Sequence, residues 1–155
     1  VITPEVDGLR LRHQIPGMKV LQFAVGDPEF DIDDVVENCV CYTGTHDNDT
    51  TVGWFNGGNE DTRSEKEIVA NQQNALKVRV GTAETIHLDM TRLAFNSQAR
   101  LAIAPMQDFL GLGSEARLNT PGTTMNNWRW RVSENQLTQQ FCESVAELVE
   151  ETSRY

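Results

Sequence analysis

The sequence has few basic residues and no long apolar segment. Of its 155 residues, 13 are Lys or Arg and 23 are Asp or Glu, which gives a net charge of −10. A phosphate-binding surface needs clustered Lys and Arg, so this balance argues against nucleic acids and anionic membranes as partners. No apolar run is long enough to span a bilayer, and the N-terminus has neither the basic nor the apolar region of a signal peptide.

Cysteine is scarce as well, and the positions of the three cysteines argue against a disulfide framework. Cys39 and Cys41 lie two apart on one predicted strand, where their side chains are poorly placed to bond each other. Cys142 falls in a predicted late helix. Three free thiols are typical of a reducing compartment, so we expect this protein to act in the cytoplasm.

Apolar segments in the sequence alternate between strand-like and helix-like patterns. Strands are predicted over 18–25, 38–43 and 101–105, and helices from Thr3 to Pro16, over 50–55, 63–76 and 84–99, and from about Thr138 onward. This alternation predicts an α/β fold with a parallel sheet. A small doubly wound sheet remains possible, although its glycine-rich phosphate turn is poorly matched by Gly26-Asp27-Pro28, because proline removes a backbone donor.

The most informative segment follows the second predicted strand. That strand stops at Gly44, and His46, Asp47 and Asp49 come directly after it. The carboxyl ends of parallel strands carry the active site of β/α-barrels. A carboxylate there can stabilise the oxocarbenium-like charge of glycosidic bond cleavage, and a neighbouring histidine can donate a hydrogen bond. The alternative interpretation is an ordinary polar loop in which Asp47 caps the following helix.

A metal ion is a further candidate ligand for the same residues. Asp47, Asn48 and Asp49 group oxygen ligands for calcium, but Val52 occupies the position where an EF-hand loop needs glycine. The three histidines are scattered and show no zinc-protease spacing. We therefore expect no metal and no cofactor. Three tryptophans could supply aromatic faces for sugar rings: Trp54, Trp128 and Trp130. Of these, Trp128 and Trp130 are expected to pack in a loop or the barrel base instead.

Six segments of the chain form one distinctive set: VITPEV (1–6), PGMKVLQF (16–23), YTGTHDNDTTVGW (42–54), RLAIAPMQD (100–108), LGLGSEARLNTPG (110–122) and NWRWR (127–131). Together they resemble the amylomaltase family, the 4-α-glucanotransferases. They are distributed over residues 1–131 in family order. The resemblance implies the C-terminal half of a (β/α)8 TIM-type barrel of the α-amylase superfamily, with the three strands as barrel strands six to eight. Residues 1–155 are then one part of the catalytic barrel, and the start at Val1 without methionine leads us to expect that its upstream half is absent.

The resemblance also implies an activity and residue roles. Family enzymes move maltooligosaccharide segments between α-1,4-glucans by a retaining double displacement. Asp47 matches the carboxylate that stabilises the transition state, His46 matches a sugar-binding histidine, and Asn119 matches a substrate-contacting asparagine. The nucleophile and the acid/base glutamate lie upstream in the family, so we expect the isolated chain to be inactive and to need the N-terminal half of the barrel as its partner.

Two loops depart from the family pattern. The loop 26–37 is shorter and more acidic than the corresponding family loop, and residues 124–126 stand where the family has small residues. The resemblance therefore does not predict which sugar the enzyme prefers as acceptor. Glu115 and Arg117 are expected to form a structural ion pair. The alternative function is a non-catalytic glucan-binding or scaffold half-barrel. Intact His46, Asp47 and Asn119 favour the enzyme, since a pure scaffold would not need them.

Overall fold

A computed structural model describes residues 3–58, 63–77, 82 and 84–154. Val1 and Ile2, which open the first family-like segment, lie outside the described residues. Within the described ranges the strands are β1 (Gly17–Val20), β2 (Cys39–Tyr42) and β3 (Leu101–Ile103). The α-helices are α1 (Pro4–Arg12), α2 (Leu21–Ala24), α3 (Thr51–Asn56), α4 (Glu65–Lys77), α5 (Ile86–Asn96), α6 (Met106–Phe109) and α7 (Gln139–Glu151).

The three strands form one parallel sheet in the order β1-β2-β3. The helices α3, α4 and α5 connect β2 to β3, which is the crossover that parallel pairing requires. The predicted α/β class with a parallel sheet is therefore confirmed. Val20, Tyr42 and Ile103 are in register at the ends of the strands, so the segments that follow them emerge from the same edge of the sheet.

All three strands are shorter than the sequence predicts, β1 by the most. The apolar run 18–25 changes conformation at Leu21, where α2 begins, and Val25 N–H donates to Leu21 O at 2.8 Å. Leu21 and Val25 are both fully buried, so burial explains the apolar run without an extended backbone. The strand β3 ends at Ile103, and Pro105 precedes the unpredicted helix α6.

Helix ends follow the predicted capping signals. Thr3 accepts a hydrogen bond from Val6 N–H at 3.5 Å with Pro4 at the first helical position, and Thr138 accepts from Phe141 N–H at 3.1 Å. These side chains satisfy donors that have no partner inside the helix. None of the described helices is long and apolar enough to cross a membrane.

The core lies on one face of the sheet. Cys39 and Cys41 of β2 point into it and pack with buried side chains of α3 and α5. All three cysteines are free, and burial raises the pKa of the Cys41 thiol to about 11, so this thiol stays protonated at neutral pH. The opposite face leaves Met18 and Leu101, which share a register row, 67% and 56% exposed. Parallel sheets are normally covered on both faces, so this apolar face is open to further elements.

Candidate active site

The segment 43–51, which runs from the end of β2 through the first residue of α3, carries the predicted cluster and is called the site loop below. Inside it, Asn48 Oδ1 accepts hydrogen bonds from Thr45 N–H at 2.9 Å and from Thr45 Oγ1 at 2.8 Å. Asn48 N–H in turn donates to Thr45 O at 3.1 Å. This tight turn projects His46 and Asp47 outward, and their side chains are 55% and 53% exposed. Both can therefore reach a ligand in solution.

The structure brings the three predicted site residues together. Asn119 Nδ2 donates to Asp47 Oδ1 at 2.6 Å although the two residues are 72 positions apart. His46 Nε2 lies 3.4 Å from the same oxygen, Asp47 Oδ1. Both neighbours thus stand at Oδ1, while the second oxygen, Oδ2, accepts no hydrogen bond from the residues that the structure describes. An exposed, oriented carboxylate of this kind can face developing positive charge on a substrate.

Arg117 donates hydrogen bonds to the backbone carbonyls of Asp47 and Asn119. Its Nη2 donates to Asp47 O at 2.9 Å and its Nε donates to Asn119 O at 2.9 Å. The expected ion pair with Glu115 is wrong, because Glu115 Oε1 accepts from Gly113 N–H at 2.9 Å instead. The sequence placed Arg117 two residues before Asn119 but gave no signal for the contact with Asp47. One guanidinium therefore ties the two segments of the site into one unit.

Trp128 borders the cluster. Its indole centroid lies 5.2 Å from the His46 ring at an interplanar angle of 36°, and 53% of the residue is exposed. Trp128 is thus an exposed loop residue beside His46, whereas Trp130 is half-buried, and the expectation that neither ring stacks on a sugar stays a prediction. Trp54 is buried beneath Arg63, whose guanidinium carbon lies 5.4 Å from the indole centroid. Trp128 is therefore the tryptophan whose ring neighbours His46.

The interpretation of Asp47 as a helix cap is wrong. Thr50 caps α3, because its Oγ1 accepts from Gly53 N–H at 3.1 Å. Asp49 is also engaged locally: its Oδ1 accepts from Thr50 N–H at 2.8 Å and its Oδ2 accepts from Ser114 Oγ at 2.6 Å. Packing is tight there, since a Cβ on Gly53 would stand 2.4 Å from Ser114 Oγ. The Asp47 carboxylate thus takes part neither in the capping of α3 nor in the contact with Ser114.

A second carboxylate, Asp108, lies beneath the site loop. It follows β3, is 1% exposed, and accepts from Thr43 Oγ1 at 2.6 Å and from Thr51 N–H and Oγ1 at 2.8 Å each. Burial raises the pKa of the Asp108 carboxyl, while the hydrogen bonds from Thr43 and Thr51 act in the opposite direction. The sequence showed only that Asp108 stands beyond the third strand. Its buried contacts with the site loop could not be read from that position.

An open cavity of about 590 Å³ lies over the strand ends, and His46, Asp47 and Arg117 are among its lining residues. This volume is in the range of small-ligand sites. Within the ranges that the structure describes, no three His, Cys, Asp or Glu side chains lie close enough to hold a metal ion. Asp47 and His46 bring a carboxylate and an imidazole to this cavity, and Asn119 holds the carboxylate from outside the lining.

Comparison with known proteins agrees with this arrangement. The model of the 4-alpha-glucanotransferase family matches residues 1–138. The chain belongs to this family. It is 48% identical to the 4-alpha-glucanotransferase of Synechocystis sp. over 141 aligned positions, which cover 88% of this chain and 26% of that protein. It is 40% identical to the 4-alpha-glucanotransferase of Thermus thermophilus over 166 positions, which cover 99% of this chain and 31% of that protein.

A solved structure shows the same relationship. The amylomaltase from Streptococcus agalactiae in complex with acarbose superposes with a TM-score of 0.82 at 26% identity, covering 99% of this chain and 30% of that chain. The resemblance to amylomaltases is therefore confirmed. The chain spans less than a third of the length of these relatives.

Proposed function

We propose that this chain is part of the catalytic barrel of a 4-α-glucanotransferase, in which Asp47 stabilises the transition state of glucan transfer. The observation that carries the proposal is the cluster of Asp47, His46 and Asn119 at the carboxyl edge of a parallel sheet. In β/α-barrels this edge is where catalytic side chains lie. The family membership supports α-1,4-glucans, including maltooligosaccharides, as the substrates.

The geometry suits Asp47 to electrostatic stabilisation. Glycosyl transfer passes through an oxocarbenium-like state, and a fixed negative charge beside the sugar ring lowers its energy. The Asn119 amide and the Arg117 guanidinium fix the carboxylate and its backbone before a substrate arrives. Little reorganisation is then needed during the reaction, which is the condition under which such a charge is most effective. His46 lies beside the same oxygen and is placed to donate to a hydroxyl of the bound sugar.

The proposed reaction needs two further carboxyl groups. A retaining displacement uses one as nucleophile and one as acid/base. Two other carboxylates lie in or against the site loop, Asp49 and Asp108, and they already accept two and three protein hydrogen bonds respectively. We infer that the nucleophile and the acid/base group come from the N-terminal half of the barrel. Packing of that half against the exposed apolar face at Met18 and Leu101 would complete a (β/α)8 barrel, in which β1, β2 and β3 are strands six to eight.

The compartment and partners follow from the same features. Free thiols, two of them buried, suit a reducing environment, and we propose that the enzyme acts in the cytoplasm. The net charge of −10 supports a neutral sugar polymer as ligand rather than a nucleic acid or an anionic membrane. No cofactor is needed for this chemistry, because carboxylates carry it.

The test is a chimeric enzyme, called the graft below, in which residues 3–154 replace the matching segment of the Thermus thermophilus 4-alpha-glucanotransferase. We expect the graft to convert maltotriose into glucose and longer maltooligosaccharides, measured by chromatography of the products. The Thermus enzyme is the reference for full activity. A folded graft that binds maltotriose but transfers nothing would refute the catalytic proposal and favour a glucan-binding module.

A further inference from the structure

One buried carboxylate contacts the site loop at both ends. Asp108 Oδ2 accepts from Thr43 Oγ1 at the start of the loop and from Thr51 Oγ1 at its end, at 2.6 and 2.8 Å. Asp108 Oδ1 accepts from Thr51 N–H at 2.8 Å. His46 and Asp47 lie between these two anchor points. The contacts therefore fix the span of the loop that carries the candidate catalytic side chain.

Asp108 is itself held firmly. It lies in α6 directly after β3, its N–H donates to Pro105 O at 3.0 Å, and His87 Nδ1 lies 2.8 Å from Asp108 O. His87 belongs to α5, so the backbone of Asp108, from which the carboxylate projects, is tied to a core helix. Thr43, Thr51 and Asp108 are all fully buried. Water cannot readily replace these hydrogen bonds, and a buried carboxylate is tolerated only when donors of this kind surround it.

We propose that Asp108 is a positioning residue that sets the place of Asp47 by clamping both ends of the site loop. The proposal rests on the proposed function for its kinetic consequence, but the clamp itself is a property of the fold. Asp108 is too deeply buried to touch a glucan, so its effect reaches the reaction through Thr43 and Thr51. A shift of about 1 Å in a reacting group can cost about 100-fold in rate.

The kinetic test compares variants in the graft. Asp108→Ala removes all three acceptor contacts, and we expect kcat for maltotriose to fall about 100-fold while KM changes by less than about 3-fold. Asp108→Asn keeps one oxygen for Thr51 N–H and should retain about a tenth of the activity or more. Thr51→Val removes only the hydroxyl contact, one of the two that Asp108→Asn alters, so kcat should fall measurably but by no more than in Asp108→Asn. Where Asp108→Ala does not fold, the other two variants decide.

Leu148→Ala is the control for a loss of stability without loss of positioning. Leu148 is a buried core residue of α7, outside the site loop and its contacts. We expect this variant to lower the melting temperature but to leave kcat close to that of the graft. Equal losses of kcat in Leu148→Ala and Asp108→Ala variants would show that Asp108 only supports the fold, and the proposal would be overturned.

Backbone hydrogen exchange tests the clamp independently of activity, on the 155-residue chain itself. We expect Asp108→Ala and Thr51→Val to speed exchange at residues 45–50 at least about 10-fold while α5 stays protected; Leu148→Ala should leave the loop unchanged. A loop that exchanges equally fast with and without Asp108 would overturn the proposal, as would an unprotected loop in the unaltered chain. An inactive graft would count against the proposed function, whereas the exchange result would still decide the clamp.

Discussion

Asp47→Asn in the graft is expected to lower kcat for maltotriose by about 10²- to 10³-fold, which corresponds to about 3–4 kcal/mol of lost transition-state stabilisation. The substitution keeps the shape of the side chain and an oxygen that can accept from Asn119 Nδ2, which now lies 2.6 Å from Asp47 Oδ1. What it removes is the negative charge. We expect the change in KM to be small, because the charge matters most when the sugar becomes positive. Initial rates of glucose release measure the effect.

Asp34→Asn is the matched control. Asp34 is an exposed carboxylate in the 3-10 turn Ile32–Asp34, away from the site loop, so its neutralisation should leave kcat unchanged. The comparison separates the loss of one particular charge from a general change in net charge. Asp47→Asn turnover within about threefold of the graft would show that Asp47 is not the stabilising carboxylate.

The 155-residue chain by itself is expected to show no transfer from maltotriose. Asp47 offers one exposed carboxylate, but Asp49 and Asp108 are engaged by Ser114, Thr50, Thr43 and Thr51, so neither can serve as nucleophile or proton donor. Loss of a covalent nucleophile lowers kcat on the order of 10⁶-fold in well-studied enzymes. Product analysis after long incubation at high protein concentration measures this directly.

Two additions make that result informative. Circular dichroism and a cooperative melting transition establish that the inactive chain is folded. The graft, assayed in parallel, establishes that the same residues support transfer when the rest of the barrel is present. Maltotriose disproportionation by the isolated chain, purified free of other glucan-acting enzymes, would contradict the assignment of the missing carboxylates to another part of the barrel.

Much of the site was predictable because its residues lie in long contiguous segments. The turn after β2 placed His46 and Asp47 at a strand end, and the capping residue Thr50 starts α3 close to the expected position. Local signals of this kind depend on nearest neighbours along the chain. Asn119 entered through family resemblance alone, and its 2.6 Å contact with Asp47 appears only in the folded chain.

The features of the site that could not be predicted depend on contacts between segments that are distant in the sequence. Asp108 meets Thr43 and Thr51 across 65 and 57 positions, and Arg117 meets Asp47 across 70. No periodicity or local motif reports such pairs, since they arise from the parallel register of β2 and β3. The short helix α2 was missed for a related reason: a buried apolar run has no period that separates a strand from a helical turn.

The most direct test of the proposed role of the Asp47, His46 and Asn119 cluster is a crystal structure of the graft with acarbose, the ligand of the Streptococcus agalactiae amylomaltase structure. We expect one ring of acarbose to lie against Asp47, with His46 and Asn119 within hydrogen-bonding distance of the same ring. An acarbose molecule bound elsewhere on a folded, active graft, with these three side chains facing solvent, would contradict the account.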